Sequence, residues 1–306
     1  MSEHYSRIRR SGVFDTGRLL RIRESIGITF YMRRNHQEVA PAVLRALELY
    51  RRAIAPHTLG EYPDPSSECW QPLDDKGWAF IHEEFEQPGT RLWLCESAST
   101  TTGYEFIYSG QLLDKPLDTQ GRGEATTVAF FLPSEYLEEH GPERVRQLAL
   151  ELAQGLPFNS GHAGLTLLFP DTLFGATEAL REEALRYPGL DLADVNNSAY
   201  SIGTRVRGVH WMNFLGQPVL GELGGVANLR SRLHSPDTTV QELEAERAVV
   251  TLGPWPEAGD LARGHALPPY RELARVLEPW RYEERFRFRG FSDEDMRRWQ
   301  RRFLDW

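Results

Sequence analysis

With 306 residues, two cysteines and a formal charge of −9, the chain can bury a sizeable core without cross-links, and neither a disulfide framework nor a cysteine-based zinc site is expected. No stretch approaches the roughly eighteen apolar residues of a membrane helix, and the polar N-terminus MSEHYSRIRRSGVFDTGRLLRIRES has no apolar run of signal-peptide length. The expectation is a soluble protein in the reducing cytoplasm.

Ile26 to Met32 reads as a strand, and Glu38 to Ile54 as a helix with Val39, Val43, Leu44, Leu47 and Tyr50 at helical spacing. After the turn-rich APHTLGEYPDPSS, Asp74 to Phe85 forms a short helix carrying Trp78, Ile81, His82 and Phe85 on one side, stopped by Pro88-Gly89. Thr90 to Glu96, Tyr104 to Ser109 and Thr126 to Leu132 are three strands of an antiparallel meander. Pro133-Ser-Glu-Tyr opens a helix that Gly141-Pro142 interrupts and Glu143 to Gln154 continues.

In the second half, strands at Gly164 to Phe169, Val206 to Phe214 and Ala248 to Leu252 alternate with helices. These helices are Leu173 to Tyr187, capped by Asp171 or Thr172, then Gly225 to Leu233 and Pro269 to Leu277. A Ser-Asp-Glu-Asp capping box at Ser292 opens a terminal helix over Met296 to Leu304. The pattern is α+β: an antiparallel or mixed sheet flanked by helices, forming one compact unit over 1–306 with candidate subdomains at 14–155 and 156–306.

Charge is uneven. Residues 1–34 carry eight arginines against three acids, whereas residues 61–140 carry sixteen acids, Glu61 to Glu139, against Lys76, Arg91, Lys115 and Arg122. An acidic block disfavours nucleic acid and anionic membranes and attracts a basic protein, the plain alternative being a solvated face.

The segment RGVHWMNFLG (207–216), followed by LGELGG, concentrates polar, aromatic and glycine residues. Gly221, Gly224 and Gly225 match neither a P-loop nor a dinucleotide fingerprint, so they read as a tight turn. Ser160 and His162 lie two apart on a strand, sharing a face but lacking a nucleophile elbow. The histidines show no HxH or HExxH spacing, so no metal and no cofactor are expected. Read as a strand, 206–214 places Val209, Trp211 and Asn213 on one face and His210, Met212 and Phe214 on the other, making His210 a core residue.

RGVHWMNFLGQPVLGELGG, the preceding RYPGLDLADVNNS and the later AVVTLGPWPEAGD with LPPYRELARVLEPW resemble the TsiV-type family of type VI secretion immunity proteins, over roughly Phe14 to Trp280. The resemblance implies a non-enzymatic antidote that binds a cognate toxin, and it transfers no catalytic residue. The toxin is expected to be basic, in some relatives a restriction-endonuclease-like protein. The acidic block is the expected contact face, with Asp74, Asp75, Glu83 and Glu84 supplying charge and Trp70, Trp78 and Tyr104 supplying aromatic anchors. Two other readings stay open: a small-molecule enzyme or binding protein with a pocket near Ser160, His162 and His210, and an adaptor of the secretion apparatus. Oligomeric state is left open.

Overall fold

The run Ile26–Met32 is buried at every position, as expected of a strand covered on both faces, and it lies in the middle of a large sheet. A computed structural model describes residues 4–14, 17–65, 69–98, 103–114, 123–169, 177–192 and 194–305. The first half begins with the hairpin β1 (Arg9–Phe14) and β2 (Gly17–Met32), then α1 (His36–Ala53), β3 (Glu61–Pro63), β4 (Trp70–Pro72) and α2 (Asp75–Glu86). The strands β5 (Thr90–Cys95), β6 (Glu105–Gly110) and β7 (Thr126–Pro133) follow, then α3 (Ser134–Gly155).

The second half runs β8 (Ser160–Leu168), α4 (Thr177–Arg186), β9 (Asp191–Leu192), α5 (Val195–Ala199), β10 (Met212–Leu215), α6 (Val219–Glu222) and α7 (Gly225–Ser231). It ends with β11 (Thr238–Leu243), β12 (Arg247–Leu252), α8 (Pro268–Leu277) and α9 (Asp293–Gln300). The expected start of α4 at Leu173 and its cap at Asp171 or Thr172 lie outside the described residues.

Among the described residues, twelve strands form one sheet in the order β11-β12-β10-β8-β2-β7-β6-β5-β3-β4, with β1 paired to β2 and β9 to β8. Every pairing is antiparallel except β8 with β9. The class is therefore α+β. The meander β5-β6-β7 forms as its alternating pattern predicts. Strand β2 pairs with β7 from Ser25 to Met32 and with β8 from Arg23 to Tyr31, joining the two halves of the chain.

The two sheet faces differ in chemistry. On the first, Ile28, Phe30 and Met32 join α1 and α3 in a large apolar core containing Val43, Leu47, Leu148 and Leu152. On the second, Ala129 and Phe131 meet Val195 of α5, and Tyr31 meets Tyr282 of the C-terminal segment. Local rules account for several boundaries. In α3, Gly141 takes φ 77°, a left-handed value that suits glycine, and Pro142 follows, so the helix kinks where the Gly-Pro pair predicts. At α9, the Ser292 hydroxyl accepts from the Asp295 amide while the Asp295 carboxylate accepts from the Ser292 amide, completing the expected box.

Candidate functional site

The expected strand over 206–214 is shorter: only Met212–Leu215 pairs with β8 and β12. Upstream, Gly208 takes φ +134°, and Asn213 Oδ1 accepts from the His210 amide at 2.9 Å while its Nδ2 donates to the His210 carbonyl at 2.7 Å. This side-chain clamp replaces strand pairing, so period-two alternation fails before Met212. His210 is buried as expected but does not join the apolar core. Its ring stacks on His162 with centroids 3.8 Å apart and planes 15° apart.

Around these rings lies a buried charge cluster on the second sheet face. Asp191, on β9, sits 3.3 Å from His210 Nε2, 3.6 Å from His162 Nε2, 3.2 Å from Arg207 Nε and 3.8 Å from Arg302 Nη2. Arg207 Nη1 also lies 2.8 Å from Glu284, and its Nη2 donates to the Leu192 carbonyl at 2.8 Å. Burial alone would raise the Asp191 carboxyl, but Arg207, His210 and His162 hold it well below the ordinary carboxylate value. Burial pushes His162 well below an ordinary imidazole, helped by His210, and lowers His210 against the pull of Asp191. Burial also pushes Glu284 up to about 7.

His162, Asp191 and His210 offer ligand atoms within 4.8 Å of one another, so a metal has to be weighed. Two guanidinium groups already face two carboxyl groups with both imidazoles neutral, and a divalent ion would leave about two uncompensated positive charges in a buried site. Stacked, nearly parallel imidazoles also cannot both aim in-plane lone pairs at one ion. These residues fit a structural charge cluster, not a metal centre. The cavity beside them, lined by Tyr31, His162, Asp191, Arg207 and His210 among others, is about 10 Å³, room for one water at most. Ser160 spends its hydroxyl on the Arg205 carbonyl at 2.7 Å. The expected alternative pocket thus brings His162 and His210 together, leaves Ser160 out, and has no space for a substrate.

The acidic block divides. Glu135 pairs with Arg9 and Arg23, and Glu138 with Arg7, so arginines of the basic N-terminal segment neutralise part of the block within the molecule. Glu105 and Glu124 are buried. Exposed acids remain on α2, where Asp74 to Glu86 holds five carboxylates against Lys76. Asp75, Glu83 and Glu86 are exposed. Asp74 is exposed too, but its carboxylate caps the helix by accepting from the Lys76 and Gly77 amides at 3.0 Å. Glu84 is half-buried and accepts from the Thr90 hydroxyl at 2.6 Å.

The expected aromatic anchors fare differently. Trp70 is half-buried at the sheet edge, and Trp78 lies under the Arg51 guanidinium at 3.8 Å. Tyr104 is only 6 % exposed and stacks on His57 at 4.6 Å. It is a core residue with little surface to offer. Sequence reading missed Trp93, which is 39 % exposed although it lies mid-strand in β5. Its signal was the alternation Arg91, Trp93, Cys95 opposite Leu92 and Leu94.

Comparisons with known proteins bear on this arrangement. No curated protein matches the chain. Among solved structures, a Pseudomonas aeruginosa T6SS protein, PA0821, is similar in fold: TM-score 0.77 at 19 % identity, over 96 % of this chain and 87 % of that one. The model of the family described as "Type VI immunity for VRR-NUC" matches residues 42–303, starting later than the resemblance read from sequence and running further. Spanning most of the chain, that match establishes that the protein belongs to the TsiV family of type VI immunity proteins.

Proposed function

We propose that this chain is a cytoplasmic, non-enzymatic antidote that binds a nuclease effector of the VRR-NUC kind and blocks it by non-covalent occlusion. The family match over residues 42–303 carries the reading. The exposed carboxylates of α2 agree with it. A nuclease must present cations to a phosphate backbone, and an acidic face can occupy those cations and speed association by steering. The buried cluster at Asp191 supports the fold that displays this face.

Co-expression with the cognate effector domain tests the reading directly, with restored growth and a co-purifying complex expected. A variant reversing Asp75, Glu83 and Glu86 to Lys leaves the Asp74 cap intact, and should bind more weakly with a shallower dependence of affinity on salt. Failure of the wild type to rescue or co-purify would refute the antidote, whereas an unchanged affinity and salt slope in the variant would refute only the role of α2.

A further inference from the structure

The second sheet face is covered over its middle by α5 and the C-terminal segment, but among the described residues it opens over β5 and the β4 edge. Register places Ile107 opposite Trp93, Glu105 and Glu61 opposite Cys95, and Trp70 opposite Pro63. The Trp70 and Trp93 rings meet edge-on, with centroids 4.9 Å apart and planes at 77°. Trp93 Nε1 donates to Glu105 Oε2 at 2.9 Å, which fixes the indole and sets a carboxyl behind it. Arg91, two residues earlier on the same face, reaches over the Tyr200 ring at 5.0 Å. Trp93 and Phe286, 39 % and 47 % exposed, are the exposed large hydrophobic side chains among the described residues.

We propose that the Trp70–Trp93 pair, backed by Glu61 and Glu105, is the docking point for an arginine or lysine side chain of the neutralised effector. The proposal rests on the antidote reading and names the contact that reading lacks. Indole faces attract cations, guanidinium groups most of all, and a neighbouring carboxyl adds a charge-assisted partner. The fold already makes this contact internally: Arg51 lies over Trp78 at 3.8 Å and Arg302 over Trp299 at 4.5 Å. Burial pushes the Glu105 carboxyl up to about 7, so an arriving cation would favour its charged form. β4 leads through Leu73 into α2, whose Ile81 and Phe85 pack on the first face, so the patch is a contact separate from the acidic helix, on the other side of the sheet. A fixed aromatic pair ringed by polar groups also has the composition of an interface hot spot.

The test is calorimetric titration of the full chain with a catalytically inactive VRR-NUC effector domain. Trp93→Ala should weaken binding about 30-fold, the scale of a hot-spot residue, and Trp70→Ala should weaken it in the same direction. Trp93→Phe should recover part of the loss, and Phe286→Ala should bind like the wild type. Thermal midpoints close to that of the wild type separate lost contact from lost fold. The exposed Cys69 thiol, next to Trp70 in the chain, supplies a readout that needs no tryptophan variant, because its alkylation by a maleimide should slow in the complex. Wild-type binding with Trp93→Ala equally tight, or with Cys69 alkylation unprotected, overturns the docking point and leaves the antidote standing. Absence of wild-type binding overturns both.

Discussion

Replacing Asp191 with Asn keeps the shape of the side chain and removes the negative charge at the centre of the buried cluster. Asp191 is buried, with Arg207 at 3.2 Å and Arg302 at 3.8 Å. Its loss leaves Arg302 without this partner and Arg207 facing only Glu284, whose own charge burial disfavours. Removing one partner of a buried ion pair costs about 3–5 kcal/mol, because the remaining charge is uncompensated. At about 2.1 cal/mol/K per residue, a chain of 306 residues unfolds with an entropy of about 0.6 kcal/mol/K, so the midpoint should fall by about 5–8 °C. Differential scanning calorimetry and urea titration measure both quantities. Asp191→Asn combined with Arg302→Met should lose less than the sum of the two single changes, because the second removes part of the stranded charge. A midpoint shift below about 2 °C would refute the claim that these charges are paired in a water-poor interior. Affinity for the effector should not change, since the cluster lies beneath the surface.

Protonation of the cluster histidines has a defined sign. Their folded pKa values lie below the unfolded value of about 6.5, so below that pH the unfolded chain binds more protons and stability falls as pH drops. His210→Gln should reduce this slope by up to about 1.4 kcal/mol per pH unit between the folded value and 6.5. Glu284 contributes an opposite slope between its unfolded value and about 7 in both proteins, so the difference isolates the histidine. Parallel stability curves from urea titrations across this range would count against a neutral buried His210. At α2, Asp74→Ala removes the acceptor for the Lys76 and Gly77 amides and should destabilise by about 1 kcal/mol in the same assay. No change would mean that water caps the helix equally well.

How much of this was legible in the sequence depends on how far apart the determining residues lie. The helices at α1, α2 and α9 and the break at Gly141 rest on residues within one or two turns of each other, and spacing and capping chemistry locate them to within a few residues. The TsiV signature is legible in the same local way, as contiguous motifs. By contrast, the stretch 207–211 looks like a strand because its residues favour one, and only the Asn213 clamp and Gly208 show why it is irregular. The charge block at 61–140 could be counted, but not which acids Arg7, Arg9 and Arg23 would neutralise from more than a hundred positions away.

The sequence by itself determined the class, the meander, the main helices and the family, because periodicity, caps and turns are short-range properties of the chain. Only the tertiary structure decided the chemistry of the groups. Asp191, His162, Arg207 with His210, Glu284 and Arg302 come from five segments and perturb one another's ionisation, because their charges and the exclusion of water act through space. The same holds for exposure: Trp93 in β5 and Tyr104 beside β6 are both aromatic residues of the meander, and the cover laid over each sheet face leaves one exposed and the other buried.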